Sequence, residues 1–98
     1  MTKNKSVFLE VFGNKTAVRI IDFLLEHRLQ DYSEEEIKKE LKLSPFPTGL
    51  KILKVYGILK PTGERKGVEM LQLNEGFPIV KKIKELEMEL IKIGNYVN

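Results

Sequence analysis

The tightest constraint on this chain lies between Ser33 and Leu73, where the apolar spacing changes from helical to strand-like within one stretch. Ser33 is followed three residues later by Glu36, the pattern of a capping box. In that motif the hydroxyl accepts from the N3 amide and the carboxylate reaches back to the N-cap amide. Glu34 and Glu35 add negative charge to the first turn, where the helix dipole favours it. Ile37 and Leu41 lie four apart on one face, so a short helix ending near Lys42 is expected. The acidic run thus has a plain structural role, and no metal or catalytic role is assigned to it.

The next passage, Leu43-Ser-Pro-Phe-Pro-Thr-Gly, admits two helix starts. Ser44 can cap with Pro45 at N1, or Thr48 can cap after a rigid extended turn from Ser44 to Pro47. Gly49 costs up to about 1 kcal/mol inside a helix, which favours the later start or a close approach of another backbone. In either case Leu50 and Leu53 face inward, with Ile52 and Tyr56 beside them. Thr48, Lys51, Lys54 and Val55 are left on the other side, and Gly57 ends the helix. Phe46 is either a core residue or an exposed apolar contact.

Two strands follow, Ile58 to Thr62 and Val68 to Leu73, joined by Gly63-Glu-Arg-Lys-Gly with two adjacent cations. Val68, Met70, Leu71 and Leu73 supply the apolar side of the second strand. Pro61 puts the first strand on an edge or ends it. So small a hairpin must pack on helices to be stable.

Upstream, residues 1–4 are polar and expected to be loose, and Ser6 to Phe12 reads as a short helix or turn broken by Gly13-Asn14. Asn14 is an N-cap candidate for a core helix from Lys15 to about His27. Ala17, Ile20, Ile21, Leu24 and Leu25 repeat at helical spacing there. His27, the one histidine, suits the negative end of that helix and has no catalytic company. Leu29-Gln-Asp-Tyr is a connector. Downstream, Pro78 opens a final helix in which Ile79, Ile83, Leu86, Leu90, Ile93 and Val97 step by 4, 3, 4, 3 and 4. That is a coiled-coil seam, expected to pair two copies of the chain rather than to fold back on one small domain. Gly94 is expected to end the regular helix.

Ninety-eight residues suit one domain, with a core over about 6–75 and the final helix over about 78–97. With no cysteine and one histidine, disulfides, thiolate chemistry and multi-histidine metal centres are not expected. No apolar run reaches bilayer-spanning length and no signal-peptide pattern is present, so a cytoplasmic, nucleoid-associated location is the expectation. The abundance of Lys, Glu and Ile is in keeping with a thermophilic source. The formal charge of +3 conceals a sharper pattern. Residues 1–19 carry +3, residues 20–41 carry −4, residues 42–67 carry +5, and residues 68–98 carry −1. Positive charge is therefore concentrated where the second helix and the hairpin turn lie.

Helix, turn, helix and hairpin in this order make the layout of a winged helix-turn-helix. The expected fold is α+β, mostly helical, with a two-stranded hairpin wing and a C-terminal dimerisation helix. The chain resembles archaeal winged-helix regulators of the ArsR- and MarR-like type from Val11 to about Leu86. The likeness lies in Phe12-Gly-Asn, Ile20-Ile-Asp-Phe-Leu-Leu-Glu, Tyr32-Ser, Leu53-Lys-Val-Tyr-Gly-Ile-Leu-Lys, Leu73-Asn and Pro78-Ile-Val-Lys. It implies sequence-specific binding of double-stranded DNA by a homodimer that regulates transcription, with a recognition helix at Ser44 to Tyr56 and a wing tip at Thr62 to Gly67. The chain departs from the pattern between Ser44 and Leu50, where about two residues fewer than in such proteins are present and two prolines intervene. Metal sensing, which uses Cys or His ligands in that family, is not implied here.

The expected DNA contacts are Lys42, Ser44, Thr48, Lys51, Lys54, Arg65 and Lys66. Lysines 42, 51 and 54 would meet phosphates; Thr48, with Lys51, would reach base edges. Arg65 and Lys66 on the wing would enter the minor groove or grip its backbone. Lys15 and Arg19 would add contacts at a helix N-terminus. Ile79, Ile83, Leu86, Leu90 and Ile93 are the expected dimer contacts. No cofactor, metal or membrane partner is expected. No nucleophile–base pair or phosphate loop is visible, so the chain is not read as an enzyme. The alternatives are an architectural, sequence-neutral chromatin binder and a winged helix used for protein–protein contact.

Overall fold

The computed structural model describes residues 6–27 and 30–97, with side chains described as far as Asn95. Lys3, Lys5, Leu29 and the Val97 side chain lie outside the described residues. The fold is α+β and mostly helical. In order, it comprises α1 (Val7–Phe12), α2 (Lys15–Glu26), α3 (Glu34–Leu41), α4 (Thr48–Val55), β1 (Leu59–Arg65), β2 (Val68–Leu73) and α5 (Pro78–Val97). β1 and β2 form a two-stranded antiparallel hairpin, an arrangement compatible with the winged-helix layout.

Local chemistry explains most of these boundaries. Ser6 and Asn14 accept from the amides of Leu9 and Ala17 and so cap α1 and α2. Ser33 and Glu36 form the complete capping box of α3, with reciprocal bonds of 3.1 and 2.9 Å. Arg19 donates to the Leu41 carbonyl at 2.8 Å, satisfying an orphan acceptor where α3 ends. This gives Arg19 a structural task in place of the expected DNA contact alone. α2 stops at Glu26 with His27 as its C-cap, and the imidazole packs 4.6 Å from the Phe23 ring.

One hydrophobic cluster draws on every element. Val11, Ile20, Leu24, Ile37, Leu53, Leu59, Leu71 and Val80 are among its members. Truncating Ile20 or Leu53, both fully buried, to alanine should cost about 2–5 kcal/mol. Tyr32 exchanges backbone bonds of 2.9 and 2.8 Å with Leu71, so the connector adds a single bridge beside β2. Met70 is buried but stands apart from the main cluster, and Val68, expected on the apolar side, is exposed.

Three boundaries differ from expectation. α4 begins at Thr48, with Pro47 as an N-cap that makes no side-chain cap bond, so neither Ser44 nor Thr48 caps it. Pro47 has no N–H to satisfy and its extended backbone turns the chain into the helix. β1 continues to Arg65, leaving only Lys66 and Gly67 in the turn. Both have positive φ, 55° and 80°, as a two-residue type I′ hairpin requires. The register slips at Thr62, a bulge just after Pro61. Lastly, α5 runs through Gly94 to Val97 without a break.

Gly49 answers the question its sequence position raised: the helix start is late and another backbone is close. A Cβ there would lie 2.5 Å from the Ala17 nitrogen, 2.7 Å from Asn14 Oδ1 and 2.9 Å from Thr16 Cβ. α4 thus lies directly on the capped first turn of α2. This contact sets the direction in which the outer face of α4 looks.

Candidate functional site

Helical spacing divides α4 into two sides. Leu50 and Leu53 are buried, Ile52 and Tyr56 are half-buried, and Thr48, Lys51, Lys54 and Val55 face solvent. Two grooves flank the outward side. One, of about 480 Å³, is lined by Leu9, Glu10, Asn14, Thr48, Lys51 and Val55. The other, of about 670 Å³, is lined by Glu34, Lys38, Phe46, Thr48, Lys51 and Lys54. Thr48, Lys51 and Val55 border both and form the ridge between them.

The hairpin stands beside this ridge. Lys54 pairs with Glu34 of α3 and, at 3.7 Å, with Glu69 of β2. Arg65 pairs with Asp31 at 3.1 Å and with Glu36 at 3.7 Å. The Thr62 hydroxyl at the bulge also donates to Asp31, at 3.2 Å. The acidic segment 20–41 and the basic segment 42–67 are therefore neutralised in part against each other. Opposite runs of −4 and +5 in adjacent segments were the sequence signal for these pairs. Of the seven expected contacts, Lys54 and Arg65 are engaged within the chain. Lys42, Lys51 and Lys66 form no ion pair among the described residues, and all three are exposed.

Ser44 is exposed in the loop ahead of α4. Lys38 holds that loop by donating to the Pro45 carbonyl at 2.9 Å while pairing with Glu35 at 2.7 Å. Phe46 stands between two prolines and is 92% exposed, the outward alternative of the two that its sequence position allowed. Val55, at 67% exposed, adds a second apolar group to the outer face. Sequence spacing placed Val55 outward but gave it no role.

Two titratable groups on α4 and its C-cap are perturbed. The Lys54 ammonium is held above its ordinary pKa, chiefly by its hydrogen bond to Glu34, which outweighs desolvation. The Tyr56 phenol is raised mainly because it donates to Glu10 of α1 at 2.6 Å, with burial adding to the effect. In both cases folding favours the protonated form. The stabilisation is complete below the unfolded-state pKa and is lost as pH climbs through the raised value. Urea midpoints measured from pH 8 to 11 should therefore fall only above about pH 10, and Tyr56→Phe should reduce that fall.

The final helix presents a different surface. Val80 anchors it in the core and Ile83 packs against the cluster, while Lys84 pairs with Glu75 at 2.6 Å. Beyond that point the seam leaves the domain: Leu86, Leu90 and Ile93 are each 57% exposed, and Ile79 is exposed as well. Met88 and Ile91 are also exposed but lie off the seam. Sequence spacing missed Val80 because its place beside Ile79 interrupts the 4–3 pattern.

Among the described residues, no cluster of His, Cys, Asp and Glu is arranged to hold a metal, and no helix is long and apolar enough to cross a membrane. Comparison with known proteins found no matching family model, and no match among curated proteins or solved structures. What this surface does must be read from its own chemistry.

Proposed function

We propose that the chain is a winged helix-turn-helix protein that binds double-stranded DNA as a homodimer and regulates transcription. In this reading α3 and α4 are the helix-turn-helix, α4 is the recognition helix, and the hairpin is the wing. The observation that carries it is the outer face of α4. Thr48, Lys51 and Val55 form a solvent-facing ridge between two grooves, with the hairpin tied alongside through Lys54 and Glu69. A helix so presented suits a major groove, and the Lys66 turn beside it suits an adjacent backbone or minor groove.

The backbone supports the same reading. Only two non-glycine residues among those described have positive φ, and both are lysines expected at phosphates: Lys42 and Lys66, each at 55°. Asn or Gly fits such positions better, so a lysine at each accepts local strain and keeps a cation there. The outcome of replacement is therefore opposite for folding and for binding. Lys42→Asn and Lys66→Asn should each stabilise the fold by about 0.5 kcal/mol while weakening duplex binding several-fold. Thermal unfolding and fluorescence anisotropy on the same preparations would check both signs. Loss of binding without any gain in stability would remove this support.

A second reading is architectural DNA binding without sequence preference. It draws on the small base-reading inventory of α4 and on the intramolecular pairing of Lys54 and Arg65. Selection of bound fragments from random duplexes separates the two. An enriched palindrome is the expected result for a dimeric regulator; fragments with no shared sequence would favour the architectural role. Phe46→Ala should reduce discrimination among duplexes more than affinity at low salt, because an apolar side chain contributes nothing to phosphate attraction.

A further inference from the structure

The proposed dimer leaves the direction of helix pairing open, and the charges flanking the seam decide it. With 4–3 spacing, Ile83 and Leu90 take the a positions, and Ile79, Leu86 and Ile93 take the d positions. Val80, Glu87 and Gly94 then fall at e, while Lys82 and Glu89 fall at g. Val80 is buried in its own domain, so the e edge faces that domain only at the start of the helix; Glu87, one heptad on, is half-exposed, and the g edge, Lys82 and Glu89, is exposed.

We infer that α5 pairs with α5 of a second copy of this chain, parallel and in register, with Lys82 of each facing Glu87 of the other. In a parallel pair each g residue meets the e residue five positions further on in the partner, which brings Lys82 to Glu87 twice, with opposite charges. The antiparallel pairing of greatest overlap sets Leu86 against Leu90 and Ile83 against Ile93. It also brings Glu87 near its own symmetry copy and Glu89 near its own, two like-charge encounters. Sliding that pair by one heptad relieves the repulsion but leaves seam residues unpaired, Ile79 and Ile83 in one direction and Ile93 and Val97 in the other. Charge complementarity and overlap agree only for the parallel arrangement.

The direction has a functional consequence. α5 leaves the domain from its N-terminal end and is about 30 Å long at 1.5 Å per residue. Parallel pairing puts both α4 ridges at the same end of the rod; antiparallel pairing places them at opposite ends. Adjacent half-sites on one face of a duplex follow from the first arrangement. The inference deepens the dimer part of the proposed function, and its test needs no DNA.

The chain contains no cysteine, so a single introduced thiol reports only on its own neighbour. Leu86→Cys and Ile93→Cys, prepared separately and oxidised in a glutathione buffer, should each give a disulfide-linked dimer. Both positions are exposed in the domain, so neither change touches the core. In solution, Lys82→Glu should weaken self-association about tenfold, since two attractions become repulsions. Adding Glu87→Lys to it should restore the wild-type value. Three results would overturn the inference: a wild-type monomer by sedimentation, cross-linking only when Leu86→Cys is mixed with Leu90→Cys, or no rescue by the double exchange. A parallel dimer that ignores duplex DNA would leave this inference standing and remove the DNA reading; an antiparallel dimer that binds DNA would do the reverse.

Discussion

Gly49→Ala should destabilise the fold by roughly 3 kcal/mol, although the same change in an open helix stabilises by up to about 1 kcal/mol. The added methyl would meet the Ala17 nitrogen, Asn14 Oδ1 and Thr16 Cβ, all closer than 3 Å. Two of these belong to the backbone and cap of α2, which cannot swing aside as the end of a flexible side chain can. Relief requires α4 to move off α2, opening the contact that buries Leu50 and Leu53. Gly94→Ala is the matched control. That residue also lies within a helix, but a Cβ there meets nothing within 4 Å, so a gain of about 0.5–1 kcal/mol is expected. Urea midpoints should move in opposite directions for the two variants. A stabilised Gly49→Ala would mean that α4 does not lie on the first turn of α2, and the orientation of its outer face would have to be redrawn.

The second large effect concerns binding rather than folding. Lys51→Glu should weaken duplex affinity by roughly 100-fold at moderate salt while changing stability by less than about 0.5 kcal/mol. Lys51 is exposed, borders both grooves and makes no ion pair among the described residues, so nothing in the fold depends on its charge. Lys54→Ala should cost less binding, because Lys54 must first exchange Glu34 and Glu69 for a phosphate. Equal losses for Lys54→Ala and Lys51→Ala would show that those ion pairs exert no hold in the complex.

The contrast between these residues shows what the sequence discloses and what it conceals. Local signals were legible: Ser33 and Glu36 close their capping box, Asn14 caps α2, and Leu50 and Leu53 point inward from α4. Each depends on neighbours within four residues. The extent of β1 was less legible, because Gly63 between charged residues resembles a loop. Positive φ at Lys66 shortened the turn instead, and lysine gives little warning of that conformation. Charge was legible in amount but not in availability. Six cations between Lys42 and Lys66 suggest one basic patch, yet Lys54 and Arg65 are held by Glu34, Asp31, Glu36 and Glu69 from other elements. Phe46 illustrates the same limit. Between two prolines its composition fits a core or a tip, and the fold leaves it almost wholly exposed.

The most direct test of the proposed function is the salt dependence of duplex binding, followed by anisotropy of a labelled random-sequence duplex. About four phosphate contacts per subunit, and so about eight per dimer, predict a loss of roughly 10³–10⁵ in affinity between 50 and 200 mM salt. The Arg65→Ala, Lys66→Ala double variant should flatten that slope. No binding at 50 mM salt, or binding that does not change across the range, would contradict the proposal that α4 and the hairpin form a DNA-binding face.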